Sequence, residues 1–584
     1  MTTIRRTSPS ETTSPAQRGG AASTISLVAI LAAGLSQNAL AQPSISQVGQ
    51  IPVGAGAQLQ QIPEAPTIQR LVPDLPINHV EPAARSEVVG PRFEVKSLHV
   101  VGQTLYSESE LIAATDFRPS TDLSLGDLRA LATRISDFYN RNGYFLTQAY
   151  LPAQKIEDGV VTISVIEGRY GEVGVQNESR VSDGLVTGIL DGAKPGDLVE
   201  AGTLERRLLL ISDIPGVESH ATMSPGTVVG TSDLKVHLTP GPFVSGSLEA
   251  DNWGNPYTGA YRVGGTINFN NIIGYGDVLS LRTLNSTTGG MNYGRASYQF
   301  QVRELTLGVA FTALRYHLGE QFSNLNARGT EEIVSLYASY PLIRSRNSNL
   351  YAVADLDYRM FQDKVGATST VVDRAATVLT LGLSGDSRDQ IGGGGWNTYS
   401  IAGVFGHLDI QSPLARQIDA NTAHTNGGYA KIYGSLSRIQ NVSGPFSIYG
   451  AIRGQASFQN LDISEKMELG GASAVRAYPE GEAYGDQGFV STLEARLLLP
   501  KWPSNLPGQV QLIGFVDAGY VATNTTPWYS GPNSAFRSGV GVGITWTETN
   551  NFSLSVGIAH RVGQKPTSAP DQWGRIWIRA IKYF

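Results

Sequence analysis

Arg476 lies in the run Gly470-Gly471-Ala472-Ser473-Ala474-Val475-Arg476-Ala477-Tyr478-Pro479-Glu480-Gly481, which closes with Gly485-Asp486-Gln487-Gly488. A guanidinium carried by a glycine-rich loop into a partly dry interior needs a carboxylate, and its planar fork suits one. Downstream, Phe515-Val516-Asp517-Ala518-Gly519 is an apolar strand with a single acid that can neutralise the arginine if the loop folds back. Glu494, on the strand following the loop, is a second possible partner. The alternative is a loop-tip arginine in solvent and an aspartate facing water. Tyr478 and Glu480 either contact a passing chain or pack the loop, two readings of equal weight. Gly481, Gly485 and Gly488 permit backbone turns, and Asp486 is expected to close one.

No catalytic constellation stands out elsewhere. The eight histidines, His79, His99, His220, His237, His317, His407, His424 and His560, include no pair at metal-ligand helical spacing, and there is no Walker-type phosphate loop. A formal net charge of -6 gives no global basic surface for nucleic acid. The chain has no cysteine, which excludes disulfides, thiolate metal sites and cysteine nucleophiles. The expectation is a protein that is not an enzyme and takes no cofactor, metal or nucleotide.

The elements that must position the arginine begin after an N-terminal leader. Arg5, Arg6 and Arg18 precede an apolar core at residues 25–35 and the small-x-small end Ala39-Leu40-Ala41, so residues 1–41 read as a secretory signal. That core is shorter than the roughly 20 residues a membrane helix needs, and no comparable run follows. Any membrane crossing must then be a closed barrel. Residues 42–90 carry Pro43, Pro52, Pro63, Pro66, Pro73, Pro76 and Pro82, and read as a linker or extended arm with a short helical piece at 54–62.

Residues 91–168 read as strand, helix, strand, strand. A strand is expected at 93–101. Leu128, Leu131, Ala132, Ile135, Phe138 and Tyr139 then recur at helical spacing behind a Ser124/Asp127 capping box. Two strands follow, at 145–151 and 160–166, around the Asp158-Gly159 turn. Residues 169–240 repeat the layout, with strands at 170–175, 217–223 and 234–238 and a helix through Leu204, Leu208, Leu209 and Ile211.

From about residue 241 the period becomes two. Ala296, Tyr298, Phe300 and Val302 alternate with Arg295, Ser297, Gln299, Gln301 and Arg303, while Leu356, Tyr358 and Met360 oppose Asp355, Asp357 and Arg359. Strands with one apolar and one polar face suit a barrel in lipid around a wet lumen. A soluble β-sandwich or propeller shows the same alternation. At about 10 residues per tilted strand plus turns, residues 241–584 hold roughly 16 strands.

The segment Gly143-Tyr144-Phe145 through Ala149-Tyr150-Leu151-Pro152-Ala153-Gln154 resembles the first polypeptide-transport-associated (POTRA) domain of two-partner secretion transporters, and the second unit matches more loosely. Val475-Arg476-Ala477-Tyr478 resembles the Val-Arg-Gly-Tyr tip of the sixth extracellular loop of that family and of the wider Omp85 superfamily, which tucks into the barrel. Phe515, Asp517 and Gly519 match its Phe-x-Asp-x-Gly strand motif. Phe584, behind Trp577, Ile578, Ile581 and Tyr583, resembles the terminal aromatic recognition signal of outer-membrane barrels. Ala477 departs from the usual glycine, which matters if the position needs a positive φ, at about 1–2 kcal/mol.

On these motifs the chain is identified as a member of the two-partner secretion family, similar to hemolysin or adhesin activation and secretion proteins. The resemblance implies α+β periplasmic POTRA domains (91–168 and 169–240), followed by a transmembrane antiparallel β-barrel of about 16 strands (241–584) with an inward loop at about 468–490. It implies an unfolded secreted exoprotein as partner at the POTRA domains, added as a strand to an exposed sheet edge. Outer-membrane lipid and, during biogenesis, the barrel assembly machinery are the other implied partners. Two rivals remain: an Omp85-type assembly factor, which would carry more POTRA units, and a passive porin, which leaves both N-terminal units and the Arg476 loop without a purpose.

Overall fold

The computed structural model describes residues 54–67, 91–501 and 506–584. The leader expected at 1–41 and most of the arm at 42–90 lie outside the described residues. Within the arm, helix α1 spans Ala55–Gln60.

The first N-terminal unit is richer than the expected order. Its strands are β1 (Phe93–Val95), β2 (Ser97–Val101), β3 (Thr121–Leu123), β4 (Gln148–Tyr150) and β5 (Val160–Ile166), with helices α2 (Glu108–Ala114) and α3 (Leu125–Arg141). The single strand expected at 93–101 is two, because the backbone N–H groups of Lys96 and Ser97 both turn to Gly159 O. Upstream β1 pairs with β3, and downstream β2 pairs in parallel with β5. Ser107 and Glu110 form a capping box that starts α2, a helix too short to show periodicity. Ser124 and Asp127 cap α3 in the same way. Leu128, Leu131, Ala132, Ile135 and Tyr139 bury its apolar stripe against β2 and β5.

The strand expected at 145–151 shrinks to β4 because Phe145 and Leu146 pack into the core of the second unit, while Tyr144 stays in the first. That second unit holds β6 (Arg169–Asn177), α4 (Asp183–Ile189), α5 (Ala201–Ser212), β7 (Val217–Pro225) and β8 (Thr231–Pro240), in the sheet order β6-β8-β7. Helix α4 escaped the sequence reading because Gly184, Thr187 and Gly188 dilute its propensity. It forms because Leu185, Val186 and Ile189 are buried.

The junction between the units turns on Glu167, whose side chain is 2% exposed. It accepts from Thr104 N (2.8 Å), Leu105 N (2.9 Å) and Tyr139 OH (2.9 Å), and pairs with Arg169 at 3.2 Å. Burial alone would raise this carboxyl, but its hydrogen bonds hold it below the ordinary value. A carboxyl lowered in the folded state contributes stability above its unfolded value near 4.5 and loses it as pH falls. Glu167→Gln is expected to cost about 2 kcal/mol near neutral pH and to flatten the acid loss. Amide exchange of α3 in the full-length protein at neutral and acid pH checks this. Identical exchange in variant and parent at neutral pH contradicts it.

The remaining strands close into one antiparallel barrel: β9 (Val244–Asp251), β10 (Arg262–Asn270), β11 (Val278–Ser286), β12 (Met291–Val302), β13 (Leu305–His317), β14 (Ala327–Arg344), β15 (Ser348–Val365), β16 (Thr370–Asp389), β17 (Gly395–Ile410), β18 (Gly427–Ser443), β19 (Phe446–Ser457), β22 (Gln487–Leu498), β23 (Gln509–Ala522), β24 (Ser534–Glu548), β25 (Phe552–Arg561) and β26 (Arg575–Tyr583). The short pair β20 (Met467–Glu468) and β21 (Tyr484–Gly485) lies inside the loop between β19 and β22, and helix α6 (Pro413–Ala420) in the loop after β17. Sixteen strands close the sheet, as the residue count required. Phe311, Val334, Leu356, Tyr358, Leu381, Leu436 and Val542 stand exposed on the outside, and the alternate residues face inward among polar groups. That exterior decides for a barrel in lipid over a sandwich, whose apolar face would be covered.

The seam β26–β9 carries five register pairs, from Arg579↔Asp251 to Tyr583↔Ser247. Phe584, half exposed, extends it by exchanging backbone bonds with Gly246. The second N-terminal unit docks on the barrel turns. Arg206 and Arg207 of α5 each reach Glu304 at 2.6 Å, and Arg344 grips Asp213 at 2.7 and 2.9 Å.

Candidate functional site

The loop between β19 and β22 runs into the lumen and is held by packing and by ions. Leu469, Ala474, Val475, Ala477 and Tyr478 form an apolar cluster with Val490, Phe515, Val521 and Ala559 of the wall. At its tip Arg476 meets both carboxylates singled out by sequence. Its Nε and one terminal nitrogen donate to the two Asp517 oxygens at 2.8 Å each, and the other donates to Glu494 at 2.8 Å. The Arg476 backbone N–H adds a bond to Asp517 at 3.1 Å. The guanidinium lies 3.5 Å from the Phe515 ring centroid, so the Phe-x-Asp-x-Gly strand supplies both the charge and the stacking face. Gly519 completes it: a Cβ there would meet Leu469 Cδ1 at 2.5 Å and Phe489 O at 3.0 Å, so the glycine lets the loop pack closely on β23.

Ala477 is not among the described residues with positive φ, so its methyl carries no backbone strain. The room for it comes from Gly539 on β24, where a Cβ would sit 2.3 Å from that of Ala477. Tyr478 is fully buried and donates to Gln564 O at 2.7 Å, and Glu480 is buried and accepts from Ala472 N at 2.8 Å. Both therefore pack the loop and are not presented to a passing chain. Gly481 adopts φ +77°, and at Gly485 a Cβ would meet Ala522 O at 2.6 Å.

Asp486 does more than the turn expected of it. Wholly buried, it accepts from Lys466 Nζ (2.6 Å), Leu461 N (3.0 Å) and Thr525 N (2.7 Å), tying both stems of the inward loop to the loop after β23. The reason is the cost of an unpaired buried carboxylate, which recruits every donor within reach.

Sequence reasoning missed three parts. Trp577 of β26 donates to Arg476 O at 2.6 Å. Glu482 pairs with Arg537 at 2.7 Å, both almost wholly buried. Helix α1 lies in the lumen: Ala55 N donates to Asp363 (3.1 Å), Gln60 to Ile463 O and Ser464 O (3.1 and 2.8 Å) and Gln61 to Tyr484 OH (2.9 Å). Arg262 and Thr258 of the wall side in turn donate to Gln61 O and Gln58. The signal was present in the small residues: a Cβ at Gly56 would meet that of Ser464 at 2.2 Å.

The residues singled out in the first N-terminal unit serve its architecture. Gly143, at φ +92°, accepts from Ala201 N of the second unit, and Tyr144 stacks edge-on near Tyr106 and Tyr139. Leu151 packs on the first core. The Gln154 amide bonds both ways with the Thr162 backbone (2.8 and 2.6 Å), continuing the sheet past Pro152, whose carbonyl it also touches.

Residues 230–546 match the family described as haemolysin secretion/activation protein ShlB/FhaC/HecB, and residues 93–168 match the POTRA domain of ShlB type. The heme/hemopexin transporter protein HuxB of Haemophilus influenzae (strain 86-028NP) is 28% identical over 473 residues, covering 79% of this chain and 82% of the relative. The outer membrane transporter CdiB of Dickeya dadantii (strain 3937) is 22% identical over 450 residues, 75% of this chain and 78% of the relative. The solved structure of CdiB from Escherichia coli superimposes with a TM-score of 0.70 at 19% identity, covering 94% of this chain and 100% of that one.

Proposed function

The chain belongs to the haemolysin secretion/activation family ShlB/FhaC/HecB, and from that premise we propose that an unfolded exoprotein is captured at the β7 edge and leaves through the lumen, past the seated inward loop, once α1 yields. Members of the family are outer-membrane transporters of two-partner secretion, with periplasmic POTRA domains and a barrel pore, and this chain is one of them. They are secretion proteins, and their partner is an exoprotein of the two-partner kind.

The observation that carries the finer reading is an open sheet edge in the unit docked to the barrel. Among the described residues strand β7 pairs only with β8, and its other edge is unpaired along nine residues, with Glu218, His220, Thr222 and Ser224 exposed. Such an edge accepts an extended segment through backbone bonds and leaves alternate side chains to choose it. The apolar belt faces outer-membrane lipid, and the aromatic strand ending in Phe584 is the segment we assign to the barrel assembly machinery.

The test is hydrogen exchange on the full-length transporter with and without the N-terminal segment of its exoprotein. We expect the β7 amides to slow by about tenfold or more, with the barrel unchanged. Protection elsewhere in the N-terminal units with none at β7 rejects the edge. Normal secretion after deletion of the transporter, with defects in other barrels, supports the assembly-factor rival.

A further inference from the structure

Glu482 lies outside the Arg476 network, and its carboxylate is fully enclosed. Besides Arg537, it accepts from Thr567 N (3.1 Å), Thr567 Oγ1 (3.2 Å), Ser568 N (3.2 Å) and Ser568 Oγ (2.8 Å). Those donors belong to the loop between β25 and β26, which the inward loop also holds through Tyr478 OH to Gln564 O at 2.7 Å. Arg537 of β24 reaches Gln564 Oε1 at 2.9 Å.

From there the contacts run on over the mouth. Ser568 O accepts from Tyr257 OH in the loop after β9. Tyr257 accepts from Gln321 and packs edge-on against Phe322 at 4.7 Å, in the loop after β13, and Gly319 N donates to Tyr257 O at 2.8 Å. Three extracellular loops and the inward loop are thus linked, through the Glu482 carboxylate on one side of Ser568 and Tyr257 on the other.

We infer that Glu482 is a positioning residue for export, which straps the β25–β26 loop to the inward loop and holds the extracellular mouth shut. The Arg537 contacts fall on Oε1, at 2.7 Å from Nε and from a terminal nitrogen, whereas Oε2 takes its donors from the loop, from Thr567 N (3.2 Å), Ser568 N (3.2 Å) and Ser568 Oγ (2.8 Å). The loop contributes two backbone N–H groups and two hydroxyls, and without the carboxylate they have water as their better partner. The loop's base is pinned separately, by Arg561 to Asp571 at 2.8 and 2.9 Å, so release at Glu482 loosens the Thr567–Ser568 segment and leaves the base in place. Arg476 keeps Asp517 and Glu494 throughout, so the inward loop stays seated while the strap opens.

This inference rests on the reading that the exported chain leaves through the lumen, but ionic current tests the mouth without any exoprotein. The proteins to compare in planar lipid bilayers with potassium chloride are the parent, Glu482→Gln, Ser568→Ala and Asp571→Asn, each with and without residues 54–62. Heat-modifiable migration serves as the check that the barrel has folded. Without residues 54–62, Glu482→Gln is expected to raise the open fraction by about tenfold and Ser568→Ala by less, while Asp571→Asn leaves it unchanged. An unchanged open fraction in both Glu482→Gln and Ser568→Ala overturns the inference. So does an equal rise in Asp571→Asn, because that would mean any loosening of the loop suffices. A raised open fraction with unchanged secretion would count against the export reading only.

Discussion

Arg476→Ala is expected to lower exoprotein secretion by about a hundredfold at matched levels of folded barrel. The substitution leaves Asp517, fully buried, with one side-chain donor from Thr492 at 3.0 Å, and strips Glu494 of one of its two arginines. Unpairing a buried carboxylate in this way costs about 3–5 kcal/mol, which shifts the seated loop toward unseated states by roughly two to four decades. Arg476→Lys should rescue little, because an ammonium cannot reach two carboxylates as a fork while stacking on Phe515. Secretion into the medium, with barrel levels read by heat-modifiable migration, is the measurement. Parental secretion from Arg476→Ala would show that the seated loop is dispensable for export.

Deleting residues 54–62 is expected to turn a nearly silent channel into one that opens intermittently. Helix α1 contributes little through its own stability, since six residues are too few for a helix to persist alone. It stays because wall and loop hold it: Asp363 at its N-terminal end, Arg262 at its C-terminal end, and Ile463, Ser464 and Tyr484 of the inward loop along its side. Asp363 is itself engaged by Tyr316 OH at 2.8 Å and by Arg374, so the seat persists without the helix. Bilayer conductance is the readout, and a gain of about tenfold in mean current is expected. Deletion with no gain would mean that the inward loop alone fills the cross-section.

The strands were legible because lipid outside and polar groups inside impose a strict alternation, visible at Arg295–Arg303 and again at Leu356–Met360. The Arg476 loop was legible because an arginine among glycines and a single acid on an apolar strand are unusual in one region. What sequence hid were long-range partners with no local signature. Glu482 and Arg537 are 55 residues apart, and Trp577 offers an indole N–H to a carbonyl whose identity leaves no trace in residue type. Asp486 looked like a turn residue because Asp beside Gly usually is one. Its buried position, fed by donors from the other stem of the loop and from the loop after β23, follows only from the way the loop doubles back. Similarly, Phe145 and Leu146 looked like strand residues, and nothing nearby indicated that another unit's core would claim them.

The seam between β26 and β9 joins residues more than three hundred positions apart, from Asp251 to Arg579, through five register pairs. Every other ladder in the barrel joins neighbours in sequence or, across the inward loop, β19 and β22. Local hairpins form early and long-range pairings late, since loop closure must come first. The sheet must therefore exist for a time as a curled strip with two raw edges, β9 waiting and β26 arriving. Such edges invite pairing with other chains. Sealing, which is also the smallest ladder, becomes the commitment step of biogenesis, and a lesion there would slow maturation of a barrel whose finished wall is otherwise intact.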